Sequence, residues 1–152
     1  MQNAWLYDGK VFEEKDITDD LVGFVYEIEN LANGRKYIGK KSFRFSKRKQ
    51  VKGKKKKIKV ASDWMDYYGS SAELLEDVEK FGKENFRRTI IRLCRSKGEA
   101  SYFEAKEQFS VDAILKKEYY NSWSSVKVRA THLIGLADAE KTKKVPRKIQ
   151  QG

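Results

Sequence analysis

Two β-prone stretches face each other across a tight turn, and no other feature of this sequence constrains its fold as much. Residues 24–28, Phe24-Val25-Tyr26-Glu27-Ile28, read as a strand, and Lys36-Tyr37-Ile38 reads as its return. Between them lies Asn33-Gly34, a pair that tolerates positive φ and marks a β-hairpin. Side chains alternate faces along a strand, so Phe24, Tyr26 and Ile28 share one face, as do Tyr37 and Gly39. Two phenols are thereby brought close together. Gly39 has no side chain and leaves room for a ligand or another backbone. Taken alone, the pair also reads as two structural tyrosines, because tyrosine suits a half-buried strand.

The later elements follow from local signals. Ser70-Ser71-Ala72-Glu73 is a capping box, and Leu74, Leu75, Val78 and Phe81 then mark one helical face that stops at Gly82. Phe86–Cys94 reads as a strand. Ser96-Lys97-Gly98-Glu99 is a second capping box, opening a helix to about residue 109. The order hairpin, helix, strand, helix predicts an α+β fold: a small antiparallel three-stranded β-sheet flanked by helices. Residues 1–22 read as a lead-in or an added edge strand, 23–123 as the main domain, and 124–152 as an extension with a basic, frayed tail.

The charge is concentrated in one place. The chain carries a net charge of +11, yet residues 31–61 hold fourteen Lys and Arg and no acid. Elsewhere nineteen basic residues meet twenty-two acidic ones. The densest part, an insertion at about 47–60, includes Lys47, Arg48, Lys49, Lys52, Lys54, Lys55, Lys56 and Lys57. This segment reads as an irregular loop, helical in part near 43–49. Such a block repels itself in water, whereas beside a phosphate backbone it displaces condensed counterions. Nucleic acid is the expected partner, and Lys40, Lys41 and Arg44 extend the same surface.

Other classes are excluded. No apolar run approaches the roughly 20 residues of a membrane-spanning helix, and no apolar leader is visible at the start. Cys94 has no intramolecular disulfide partner, which fits a reducing cytoplasm. The lone His132 cannot complete a zinc site. Trp5, Trp64 and Trp123 read as core aromatics, with base stacking as the other use of such rings.

Gly23-Phe24-Val25-Tyr26 followed by Tyr37-Ile38-Gly39 resembles the paired signature of the GIY-YIG nucleases, with Phe-Val-Tyr where Gly-Ile-Tyr is usual. Tyr67-Tyr68-Gly69-Ser70-Ser71 resembles that family's middle region. Glu104 stands on the second capped helix, and Asn121 follows two tyrosines. The resemblance spans roughly residues 23–121 and looks like the shorter members of phages and bacteria. It implies a DNA endonuclease in which Tyr26, Tyr37, Arg48, Tyr68, Glu104 and Asn121 form the site. Arg48 is expected on a helix, with Arg44 as the competing choice, and Tyr68 is preferred to Tyr67. Glu104 would anchor Mg2+ (or Mn2+), an ion content with few carboxylates and able to neutralise the phosphate. Tyr37 would be the general base, its proton affinity lowered by Lys40, the basic cluster and the metal ion. The enzyme would work in the cytoplasm, that of a bacterial host if phage-encoded, as a monomer or a dimer. The competing reading is a non-catalytic DNA- or RNA-binding module on the same fold.

Overall fold

A computed structural model describes residues 3–124; the expected basic tail and His132 lie outside the described residues. The fold is α+β, and the expected hairpin is present as β3 (Gly23–Asn30) and β4 (Lys36–Ser42). Its loop is longer than a two-residue turn. Gly34 takes φ +77°, while the fully buried Asn30 ties the loop by accepting from Ala32 N with its side chain (2.9 Å). Tyr26 stands opposite Gly39 and Ile28 opposite Tyr37, so the two tyrosines are diagonal neighbours on one face.

The three-stranded antiparallel sheet is corrected to a mixed five-stranded one, ordered β2-β1-β7-β3-β4. Here β7 is Phe86–Cys94, while β1 (Trp5–Tyr7) and β2 (Lys10–Val11) come from the lead-in. β1 runs parallel to β7, and every other pair is antiparallel. The reason is burial. Trp5 is almost fully buried, packs edge-on to Phe24 (4.9 Å) and Tyr26 (5.3 Å), and donates its indole N–H to Trp64 O (2.7 Å). A three-residue segment with no periodicity is held in the sheet by one large aromatic anchor.

The basic segment is neither irregular nor helical. It forms a second hairpin, β5 (Arg44–Val51) and β6 (Lys54–Ala61), whose strands, among the described residues, pair only with each other. Lys52 (φ 51°) and Gly53 (φ 76°) both lie in the left-handed region, the signature of a type I′ turn. That turn twists with its strands and sets the register despite the charge.

The sheet is covered on both faces. On one, Phe24, Tyr26, Ile28 and Ile90 pack with Phe43, Trp64, Tyr68 and the buried Leu74 and Val78 of α1 (Ala72–Phe81). On the other, Val25, Ile38 and Cys94 pack against Ala100 of α2 (Lys97–Ser110). Burial pushes the Cys94 thiol up to about 12, as for an inert core residue. Of the three tryptophans, Trp5 and Trp64 are core, but Trp123 is 71% exposed.

Candidate active site

β4 is an edge strand, and the site gathers along it. The segment after α2 runs beside this edge: Lys36 N donates to Glu118 O (2.8 Å) and Tyr120 N to Lys36 O (2.7 Å). Asn121 then continues the pairing with its side chain. It accepts from Ile38 N (3.0 Å) and donates to Ile38 O (2.7 Å), so a buried amide stands in for the next peptide of a strand. Tyr120 locks the same segment by donating to Asp77 Oδ2 (2.7 Å) and accepting from Asn30 Nδ2 (3.1 Å).

These contacts frame a cleft of about 650 Å³. Tyr26 and Tyr37 line it from the hairpin, Ser70, Ser71 and Glu73 from the start of α1, Glu104 and Gln108 from α2, and 120–124 from the closing segment. Tyr26, Tyr37, Glu104 and Asn121 are therefore brought together. Arg48 is not: it sits mid-strand in β5 opposite Lys57, exposed, rather than on a helix. Arg44 is paired with Glu14 (4.0 Å) at the root of the arm. Tyr68 also lies elsewhere, buried with its ring against the Arg88 guanidinium (4.2 Å). Arg88 donates to Met65 O and Tyr67 O and fixes the 64–68 segment so that adjacent tyrosines face opposite ways. Tyr67 faces the hairpin, its ring edge-on to Tyr26 (6.0 Å) and under the Lys41 ammonium (4.1 Å).

Two glycines make the hairpin's site possible. A Cβ on Gly39 would lie 2.5 Å from Tyr26 Oη and 2.9 Å from the Tyr37 ring, so only glycine lets the Tyr26 hydroxyl cross β4. Gly69 (φ +90°) lies against the Tyr37 ring, where a Cβ would come within 3.3 Å. The helix N-cap is Ser71, which accepts from Leu74 N (3.3 Å), one residue later than the capping box predicts. Ser70 is thereby free to hydrogen-bond Tyr37 Oη (3.1 Å).

The electrostatics differ from expectation at Tyr37. Its phenol is raised above the ordinary tyrosine value, first by burial, with only the Ser70 hydrogen bond lowering it. Lys40 does not act on it: this ammonium bonds Ser101 Oγ (2.5 Å) and acts on Glu104 instead. Tyr26 is pushed well up, by burial and then by its tyrosine neighbours. Glu104 is raised by burial, partly offset by Lys40. Gln108, one turn beyond Glu104, donates to Ile38 O (3.1 Å), while its buried Oε1 has no partner. Among the described residues lining the cleft, Lys40 is the sole cation.

Sequence reasoning missed Ser70, Gln108 and the cleft-lining position of Trp123. Only Ser70 carried a signal, the doubled serine at the helix start. Among the described residues no three His, Cys, Asp or Glu side chains cluster as a metal cage, and no helix is long and apolar enough to cross a membrane.

The profile described as "Putative endonuclease segE, GIY-YIG domain" matches residues 5–124, which takes in β1 as well as the closing segment. The protein named "Putative endonuclease segE" of Enterobacteria phage T4 is 35% identical over 99 residues, covering 64% of this chain and 39% of that relative. The chain thus aligns with well under half of that relative's length. No solved structure gives a significant match. With the profile spanning nearly all of the described fold, the chain belongs to the GIY-YIG family of the SegE type.

Proposed function

We propose that this chain is a divalent-metal-dependent DNA endonuclease. The observation that carries the reading is the convergence of Tyr37, Lys40 and Glu104 on one cleft in a chain of this family. The cleft offers oxygen donors: the Glu104 carboxylate, the unpartnered Gln108 Oε1 and two phenols. Among the described residues no His or Cys lines it. Such a set fits Mg2+ or Mn2+, which take oxygen ligands and need few carboxylates. Glu104 would hold the ion, and when bound it supplies Lewis-acid neutralisation of the scissile phosphate.

The remaining steps belong to the chain's own residues. Tyr37, as its phenolate, positions the attacking water at its Oη and takes its proton as the new P–O bond forms; the P–O bond to the leaving sugar oxygen breaks, and that oxygen departs to take a proton from solvent. Burial raises that phenol, which makes its anion scarcer at neutral pH but a stronger base. The Ser70 hydroxyl stabilises the anion by donating to it. Lys40, the cation that lines the cleft, takes a non-bridging phosphate oxygen. Tyr26, nearly fully buried, braces Tyr37 from beside it at a ring separation of 6.2 Å. Asn121 shapes the cleft through the Ile38 peptide. The exposed Trp123 offers a flat face for an unstacked base. Lys41, Lys47, Lys49, Lys52 and Lys54–Lys57 supply sequence-independent backbone affinity.

The test is cleavage of supercoiled plasmid with Mg2+, beside an EDTA control. Tyr37→Phe and Glu104→Ala are each expected to slow nicking by about 10²–10⁴-fold. Nicking by both variants at the wild-type rate would overturn these assignments. Retained DNA binding with no cleavage by any form would favour the non-catalytic module.

A further inference from the structure

The β5–β6 hairpin poses a physical problem that the cleavage reading alone does not solve. Across its register Arg48 stands opposite Lys57 and Lys49 opposite Lys56. Like charges directly opposite on paired strands oppose the pairing. No acid lies within 44–61 to relieve them, and an isolated two-stranded hairpin is marginal in water. A counter-charge from outside is therefore part of this element's chemistry.

The placement of the cations indicates its shape. One face carries Lys59, then Arg48 with Lys57, then Gln50 with Lys55. The other carries Lys47, then Lys49 with Lys56. Residues 45–50 and 54–57 are exposed. A flat anionic surface would meet one face and leave the other unneutralised. A single strand offers only one row of phosphates. A ribbon charged on both faces fits between two phosphate rows, and the major groove of B-form DNA, about 12 Å wide, admits a two-stranded ribbon. The major groove of duplex RNA is too narrow and deep for side chains to read.

Resting on the reading of the substrate as DNA, we propose that the β5–β6 hairpin is an arm that enters the major groove and selects duplex DNA. The root of the arm adjoins the cleft. A groove of about 390 Å³ lined by Lys40, Lys41, Phe45 and Lys97 lies between them, and Lys40 lines both. Eight residues per strand reach about 26 Å at roughly 3.3 Å per residue. At about 3.4 Å per base pair, the arm covers up to about eight base pairs to one side of the cut.

The experiment uses the full chain in EDTA, so that binding is read without cleavage. Its affinity is measured over a salt series for a DNA duplex, the matching single strand and the matching RNA duplex. Dimethyl sulfate then probes guanine N7 in the major groove and adenine N3 in the minor. Wild type should prefer the DNA duplex at least about tenfold and protect guanine N7 over a one-sided stretch. The Lys49→Gln/Lys54→Gln/Lys56→Gln/Lys57→Gln variant should lose both the preference and the protection. Its log-log salt slope should fall by about 0.9 for each lysine that met a phosphate. This variant removes repulsion, so its fold is not at risk, and an unchanged thermal melt verifies that. Equal binding of single strand or RNA duplex, protection of adenine N3 instead, or an unaffected variant would each overturn the proposal. Protection by a wild type that never cuts would leave the arm standing and sink the nuclease reading instead.

Discussion

The two hairpins of this protein share a topology and almost nothing else. β3–β4 is specified by what it buries: Phe24, Val25 and Ile28 have no exposed surface, and Ile38 has almost none. Its loop is irregular and needs a buried Asn30 to close it. β5–β6 is specified by its turn, and its side chains work against pairing. The first hairpin can hold tyrosine hydroxyls in fixed places because a core lies beneath it. The second offers charge at a distance from any core, suited to a yielding contact with a polyanion rather than to chemistry. Rigidity and reach are thus divided between two neighbouring elements, joined through Phe43, whose N–H donates to Val22 O (2.9 Å).

Truncating one phenylalanine in each hairpin breaks the comparison open most widely. Phe24→Ala leaves a void among Trp5, Phe43 and Trp64 and should cost about 3–5 kcal/mol. Phe45 is 49% exposed, so Phe45→Ala should fall within about 0.5 kcal/mol of wild type. Urea unfolding of both variants checks this. Comparable losses would mean that the arm packs on the core more than its exposure indicates.

Glycines sharpen the contrast at smaller magnitude. Gly39 is needed for space, since a Cβ would overlap the Tyr26 hydroxyl. Gly39→Ala should cost about 1–3 kcal/mol as overpacking and displace both tyrosines, so cleavage falls with stability. Gly53 has nothing within 4 Å of a Cβ but holds φ +76°. Gly53→Ala should cost only about 1 kcal/mol, confined to the arm. Amide exchange should therefore quicken across β5–β6 alone, with the cleft amides unchanged. Faster exchange at the cleft as well would show that the arm and the site melt as one unit.

What was legible in the sequence divides along the same line. β3, β4, β7 and both helices announce themselves through alternation, capping serines and Gly82, all local signals read within a few residues. β1 has three residues and no period; its parallel pairing with β7 depends on where Trp5 finds burial, a tertiary fact. The strands of the arm are concealed because lysine and arginine suit strands poorly, so the charge run outweighs a two-residue turn signal at Lys52-Gly53. Four of the six expected site residues meet at the cleft. Which of Tyr67 and Tyr68 faces the hairpin depends on the way an extended segment turns, and Arg88 decides that from β7. The expectation for Arg48 rests on its offset in sequence, and the inserted hairpin carries that position onto β5, away from the residues that line the cleft.

The smallest expected effect separates two kinds of electrostatic cost. Burial raises Glu104 above the ordinary carboxylate range in the folded chain. The native state then binds more protons than the unfolded state between the two values, so stability falls as pH rises through that window. Below the unfolded value both states are protonated and the penalty vanishes. Glu104→Gln, without metal, should therefore melt above wild type at pH 7, and the gap should close as pH falls toward 4.5, the ordinary carboxyl value. Because the cause is desolvation, added salt should leave this gap nearly intact. The repulsion across Arg48–Lys57 and Lys49–Lys56 is Coulombic and exposed, so salt should screen it and slow amide exchange throughout the arm. A Glu104 gap that shrinks with salt at fixed pH would assign its cost to neighbouring charges rather than burial, and the division between a desolvated site and a solvated arm would fail at that residue.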